Sequence, residues 1–346
     1  GTGFPRRAKG TASFAGTEGI RWRASRKGRF SAVMPVPTGV GQRGVVVKRG
    51  HTRFIFAITV QPDPTLAAAG DIACGADSTS ASCKAGATSD LILGLNPTAV
   101  LPLGDVQYEK GQYDNFLHFY DPTWGRLRAI THPAVGNHEY GTPNASGYFD
   151  YFDGVGRPTG QAGDRGKGYY AFDLGAWRLY ALNSNCTRPE APGCGEGSAQ
   201  LNWLKADLAA HPRRCSLAFM HHPMFTSDTR EFDTPAFRDK LRPLWQAFYD
   251  HGGDVVLVGH SHFYERYAPQ DPQGNPDPTH GIRQFIVGTG GRNVYEPGTP
   301  LERNSEVHDG KTFGVIDMTL HGSGYDWRFV PVPGKTFTDA GSQACH

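Results

Sequence analysis

Five apolar runs in this 346-residue chain end on an acidic, amide or imidazole side chain. "TLAAAGD" ends on Asp71, "AVLPLGD" on Asp105, "HPAVGNH" on Asn137 and His138, "CSLAFMHH" on His221 and His222, and "DVVLVGHSH" on His260 and His262. Runs of this kind read as buried strands, and in open α/β sheets ligands gather outside the strand ends. Unpaired carboxylates and imidazoles at such an edge are costly unless a partner neutralises them, and a metal cluster is the simplest single partner. Carboxylates, an amide oxygen and imidazoles suit Fe, Zn or Mn, and this many donors suits two ions about 3.5–4 Å apart. His260 and His262 share a face by the period of two, whereas His221 and His222, adjacent on a strand, point to opposite faces, so one of them is expected at the metals. Tyr108, three residues past Asp105, is open to two readings, packing on the sheet or offering a phenolate oxygen.

The elements that must position these residues fall into two patterns. Residues 1–60 read as a small all-β, sandwich-like module of short strands in "GIRWRA", "GRFSAVMPV", "RGVVVKR" and "TRFIFAITV". Residues 61–65, "QPDPT", hold two prolines and form a linker. Over residues 66–346 strands alternate with helices, which predicts an α/β catalytic domain. "TSDLILGLN" reads as a short helix capped by Thr88 or Ser89, and "SAQLNWLKADLAAH" as an amphipathic helix behind Ser198. "TPAFRDKLRPLWQAFYDHGG" reads as a helix closed by Gly252 and Gly253, and Leu174-Gly175-Ala176 as a hairpin turn.

The blocks "GD" at 70–71, "GDVQY" at 104–108, "GNHE" at 136–139, "MHHP" at 220–223 and "GHSHFYER" at 259–266 resemble, in order and spacing, those of calcineurin-like metallophosphoesterases. The forms GDxxY and GHxHxYER resemble the purple acid phosphatase branch. The resemblance implies a four-layer α-β-β-α sandwich and hydrolysis of phosphomonoesters by metal-bound hydroxide. It implies one ion on Asp71, Tyr108 and His262, a second on Asn137, His221 and His260, and Asp105 bridging. Ala73 stands where commoner relatives have a histidine, so Tyr108 supplies the missing donor. A phenolate favours Fe³⁺ there, with Fe²⁺, Zn²⁺ or Mn²⁺ at the second position. His138 holds the catalytic position, binding phosphate and protonating the leaving group. "MFTSDTREFDTP" departs from plant-type relatives, which carry further histidines in this region. Asp228, Arg230 and Glu231, with His222, are therefore candidates for substrate or supporting roles.

Bulk properties narrow the alternatives. A net charge of +2 and a pI near 8.2 give no strong signal for nucleic acid or membrane as the main partner, and a small phosphorylated substrate is expected. Arg and Lys crowd the first fifty-three residues against Glu18 alone. That imbalance is commonly a solvated face and otherwise a surface for a polyanion or cell wall. The six cysteines include no CxxC, and their spacing favours disulfides Cys74–Cys83, Cys186–Cys194 and Cys215–Cys345. Such pairs point to a secreted or extracellular protein whose signal peptide lies outside this chain. The oligomeric state is left open. Rival readings are a phosphodiesterase or nuclease on the same site, and a binding protein with a degenerate site. A serine hydrolase is disfavoured because no GxSxG elbow occurs.

Overall fold

The computed structural model describes Phe4–Phe14, Thr17–Ala32, Met34, Val40–Ala76, Cys83–Arg230 and Thr234–His346. The chain divides into two compact units, Gly1–Asp63 and Pro64–His346, and the division falls inside the proline-containing "QPDPT" segment. Glu231 lies outside the described residues.

The first unit is all-β. Strands β1 (Lys9–Phe14), β2 (Ile20–Arg23), β3 (Gly41–Arg49) and β4 (Thr52–Val60) form one antiparallel sheet in the order β2-β1-β3-β4. Its core is small: Ala12, Trp22, Ala24 and Val47, with Phe30 stacked on Trp22 at 4.2 Å between ring centroids. "GRFSAVMPV" is not a strand over its described residues, and β1, "KGTASF", takes the inner place beside β3 instead. Backbone pairing, not side-chain pattern, makes a strand of that polar segment. Strand β4 forms as expected, yet its burial does not alternate, and Phe54, Ile55 and Phe56 are all exposed.

The second unit begins with β5 (Thr65–Ala69), α1 (Ala85–Leu95) and β6 (Ala99–Pro102). Short helices α2 (Tyr113–Asn115) and α3 (Ser146–Phe152) follow, with turns between them, then the small hairpin β7 (Thr159–Gly160) and β8 (Gly163–Asp164). The next elements are β9 (Tyr170–Leu174), β10 (Trp177–Ala181), α4 (Ala199–Ala210), β11 (Ser216–Phe219), α5 (Pro235–Asp250) and β12 (Val255–Val258). The chain closes with β13 (Tyr264–Tyr267), β14 (Arg283–Val287), β15 (Ser305–Asp309), β16 (Gly314–His321), β17 (Gly324–Pro331) and β18 (Ala340–Ala344).

These make a seven-stranded sheet, β15-β13-β14-β12-β11-β10-β9, and a five-stranded sheet, β18-β17-β16-β5-β6. Side-chain alternation explains the layering. Leu217, Phe219, Val255, Leu257 and Phe285 join a core with Leu66, Ile316 and Met318 of the other sheet, and Phe285 meets Trp327 at 5.4 Å between ring centroids. Their strand neighbours Ala218, Val256, Val258 and Ile286 face the second core with Leu201, Leu204, Leu244 and Phe248 of α4 and α5. Helix α1 lies against β16. The result is the four-layer α-β-β-α sandwich.

Ser198 caps α4, its Oγ accepting from the Leu201 N–H, and Thr234 caps α5 in the same way from Phe237. Helix α1 starts earlier than the serine-threonine signal suggests: Lys84 is its N-cap, and Thr88 and Ser89 are buried inside it. The Thr88 hydroxyl is turned to the Gly290 carbonyl at 2.6 Å, so a tertiary contact overrides the cap preference. Disulfides join Cys74–Cys83, Cys186–Cys194 and Cys215–Cys345, the expected pairs.

Candidate metal centre

Strands β5, β6, β11 and β12 run parallel within their sheets, so their C-terminal ends lie together at one edge. A glycine precedes the polar residue at four of the five places: Gly70-Asp71, Gly104-Asp105, Gly136-Asn137 and Gly259-His260. Close approach is the reason at two of them. A Cβ on Gly104 would stand 2.6 Å from the His221 ring, and one on Gly136 would stand 2.1 Å from the Asp105 backbone nitrogen. Asp71, Asp105 and His260 themselves adopt φ of 62°, 47° and 69°. Three non-glycine residues in the left-handed region at one edge are a strained arrangement of the sort found at functional sites. The segment carrying Asn137 is attached by two isolated bridges, Val100 to Thr131 and Leu103 to Ala134, and is not a full strand.

The donors converge as two groups. Tyr108 Oη lies 2.8 Å from Asp71 Oδ1, 3.1 Å from Asp105 Oδ2 and 3.0 Å from His262 Nε2. His221 Nε2 lies 3.0 Å from Asn137 Oδ1, 3.1 Å from His260 Nδ1 and 3.2 Å from Asp105 Oδ2. Asp105 belongs to both.

This donor set fits cations. His221 Nδ1 sits 2.9 Å from the Leu103 carbonyl, which only accepts, so Nδ1 carries a proton and Nε2 is the atom turned toward Asn137 Oδ1, His260 Nδ1 and Asp105 Oδ2, which it meets as a charged N–H or with a cation between them. His262 repeats the pattern, with Nδ1 at 2.9 Å from Asn293 Oδ1 and Nε2 facing Asp71 and Tyr108. The single hydroxyl hydrogen of Tyr108 serves one of its three neighbours and leaves the others facing an oxygen. Lone pairs aimed at one another in a buried site need positive charge between them.

The titration behaviour of these side chains reflects the same crowding. Burial pulls the His221 imidazole down, but the Asp105 and Asp71 carboxylates outweigh it and push it up to about 9. Burial alone would raise Asp105, yet His221 and His138 hold it well below the usual carboxylate range. Burial and then the two carboxylates push the Tyr108 phenol well up, so forming a phenolate there requires a cation.

The remaining predicted residues surround this centre. His138 lines a cavity of about 250 Å³ above the donors together with Asp228, Arg230 and Tyr295. Its Nδ1 lies 2.6 Å from the Glu109 carbonyl, which leaves Nε2 toward Asp105 at 3.8 Å. Asp228 Oδ2 accepts from the Tyr295 hydroxyl at 2.7 Å, and the Arg230 guanidinium lies over the Tyr295 ring. His222 differs from the strand expectation. Strand β11 ends at Phe219, so the two histidines occupy a bend, not opposite faces, and one ligand atom each of His221, His222 and His260 lie within 4.8 Å of one another. Burial holds the His222 imidazole well below its ordinary value.

Three contributors were invisible in the sequence reading. Glu139 is buried and accepts from the backbone N–H of Gly136 at 2.7 Å, Asp105 at 2.9 Å and Gln107 at 3.2 Å, tying two donor loops together. Asn293 orients His262, and Tyr295 stacks on it with ring centroids 5.3 Å apart. Asn293 and Tyr295 lie far from every apolar run that flagged the site. Glu139 carries a signal only as the fourth letter of "GNHE". Tyr264, Glu265 and Arg266 brace the loop: Tyr264 and Arg266 bind Asp339, and Glu265 accepts from Ser227.

A parallel-strand edge of carboxylate, amide, phenol and imidazole donors on an α-β-β-α sandwich defines the metallophosphoesterase class. The family model for calcineurin-like phosphoesterases matches residues 65–264, and the chain belongs to that family. A probable inactive purple acid phosphatase 1 of Arabidopsis thaliana is 27% identical over 67% of this chain and 41% of its own. A nucleotide pyrophosphatase/phosphodiesterase of Hordeum vulgare is 28% identical over 65% of each. Among solved structures, a purple acid phosphatase from yellow lupin seeds superposes with a TM-score of 0.63 at 16% identity, covering 98% of this chain and 70% of that one. The chain thus spans less than two thirds of these two relatives' length. The family implies a dimetal site.

Proposed function

We propose that the protein hydrolyses phosphate monoesters at a dimetal centre in the manner of a purple acid phosphatase. The observation that supports this reading is the meeting of oxygen and nitrogen donor atoms from Asp71, Tyr108 and His262 on one side of Asp105 and from Asn137, His221 and His260 on the other. In this reading Asp71, Tyr108 and His262 hold Fe³⁺, while Asn137, His221 and His260 hold Fe²⁺, Zn²⁺ or Mn²⁺, with Asp105 shared. Bound cations of this kind supply Lewis acidity, acidifying water and neutralising phosphoryl oxygens. The chain's own residues do the rest. Leu103 and Asn293 fix the two imidazole tautomers, Glu139 holds the donor loops in register, and His138 Nε2 donates to the phosphate and then to the departing oxygen.

The three disulfides support an oxidising, extracellular setting, and among the described residues no helix is long and apolar enough to cross a membrane. The basic first unit offers a surface for a polyanion or cell-wall polymer. Metal analysis combined with turnover of p-nitrophenyl phosphate tests the main reading. Two ions per chain and activity abolished by Asp105→Ala are expected; wild-type turnover retained by that variant with its metals bound would sink it. A diester preference, to which the barley relative's name lends weight, is separated by assaying bis-p-nitrophenyl phosphate in parallel. A non-catalytic role would show as two ions without turnover of either ester.

A further inference from the structure

The sheet of the first unit ends on two very different strands. β2, "IRWR", is four residues long and carries Arg21 and Arg23, a short charged edge of the kind that discourages further pairing. β4, "TRFIFAITV", is nine residues long, holds no proline and a single charge, Arg53, and pairs with β3 in an unbroken register from Gly41–Val60 to Arg49–Thr52. Among the described residues β3 is its only strand partner, and Ile55 and Phe56 are 63% and 54% exposed. In the second unit the edge strands β15, "SEVHD", and β18, "AGSQA", are polar. A long, apolar, unguarded edge is a template for another strand. We propose that β4 pairs antiparallel with β4 of a second copy of this chain about a two-fold axis at Phe56, joining the two four-stranded sheets into one.

The backbone sets the register. Gly50 and His51 make a two-residue turn whose closing pair, Arg49 with Thr52, is hydrogen-bonded, and bonded pairs alternate from there. Phe54, Phe56 and Ile58 therefore turn their N–H and C=O groups to β3, while Arg53, Ile55, Ala57 and Thr59 turn theirs outward. A two-fold axis at Phe56 sets Arg53 opposite the partner's Thr59 and Ile55 opposite the partner's Ala57. All four outward residues then find a rung, and about eight backbone hydrogen bonds form. Moving the axis to Ile55 or Ala57 leaves one rung beyond the strand's end.

The side chains fit a copy because the strand reads alike in both directions from Phe56. Phe54 meets the partner's Ile58, and Phe56 meets the partner's Phe56. These residues share a face with Val45 and Val47, where an apolar cavity of about 690 Å³ opens beside Phe30 and Met34. The two Arg53 side chains fall at opposite ends of the seam, so no like charges face each other across it.

Sedimentation velocity on the full chain tests the pairing, at about 0.15 M salt to screen the like charge of the two basic units. A species of about twice 37.6 kDa is expected to dominate by about 100 µM. Ala57→Pro removes an outward N–H without touching the rungs to β3 and should weaken association at least about tenfold. Ile55→Lys, which guards the edge with charge, should weaken it as well, and circular dichroism checks both folds. Cross-linking reads the register. Phe56→Cys brings two thiols together at the axis, where facing Cα atoms lie about 4.5 Å apart, and should oxidise to a covalent dimer. Arg53→Cys, about 20 Å from its copy, should not. A dimer that survives both edge variants, or one that cross-links as readily through Arg53→Cys as through Phe56→Cys, overturns the pairing. A chain that stays monomeric at the highest concentration also overturns it, leaving the edge to a strand of another protein.

Discussion

Gly136 is packed against Asp105 so closely that a β-carbon at 136 would fall 2.2 Å from Asp105 Oδ1. The same two loops are joined by the His138 N–H donating to Asp105 Oδ1 at 2.9 Å and by Glu139 accepting from both backbones. No flexible side-chain end is available to yield, because the obstructing atoms are backbone and a buried carboxylate. Gly136→Ala is therefore expected to displace the shared carboxylate, reduce bound metal below two ions per chain and cost about 1–3 kcal/mol of stability. Elemental analysis with thermal unfolding checks this, and full metal content at unchanged Tm would refute it.

Tyr108 is the residue on which the metal identity turns. Its hydroxyl contacts Asp71, Asp105 and His262 at once, and burial with two carboxylates resists its ionisation. A phenolate formed there signals a strongly charged cation, and one bound to Fe³⁺ absorbs visible light. Tyr108→Phe should keep the ring packing, abolish the visible band of iron-loaded protein and weaken the metal bound by Asp71 and His262. An unchanged band would remove Fe³⁺ from this position while leaving the rest of the dimetal reading in place.

The parts of the site that were legible share one property: each sits at the end of an apolar run, where a polar residue stands out against its own neighbours. Asp71, Asp105, His221 and His260 were visible for that reason, and the Gly before Asp71, Asp105 and His260 marks close approach of neighbouring loops. Asn293 and Tyr295 lie in a strandless stretch, so nothing local distinguishes them. The expectation that His221 and His222 point to opposite faces extended strand alternation past Phe219, where the backbone has already bent. In the fold, β1, β15 and β18 are polar edge or inner strands defined by pairing partners distant in sequence, and single-chain patterning carries little of that. Disulfide partners were recoverable in part because two loops are short, with separations of 9 and 8 residues.

Asp254 gives a pH dependence remote from the metal centre. It precedes β12 and accepts from the Ser216 N–H at 2.9 Å and the His346 N–H at 3.1 Å, yet burial outweighs these bonds and raises its carboxyl from 3.8 to about 7. Between those values the folded chain holds a proton that the unfolded chain has released. Stability from this group is fully present below about pH 4 and is lost as pH rises through about 7. Asp254→Asn cannot ionise, so its Tm relative to wild type should improve steadily over that window. Parallel Tm curves from acid to neutral pH would show that the carboxyl titrates normally.

His138 separates proton donation from phosphate binding. Its Nδ1 is engaged by the Glu109 carbonyl, its ring packs on Tyr108 with centroids 4.3 Å apart, and Nε2 is the nitrogen left for substrate in the cavity above the donors. It completes neither donor group, so His138→Ala should leave two ions bound. The consequence depends on the leaving group. An alkoxide needs a proton as the P–O bond breaks, whereas p-nitrophenolate leaves readily without one. On an alkyl ester such as glycerol phosphate, kcat should fall about 10²–10⁴-fold. On p-nitrophenyl phosphate the fall should be distinctly smaller and reflect only the lost phosphate contact. Equal losses on both esters would assign His138 to binding alone, and a loss of metal would assign it to the centre's framework.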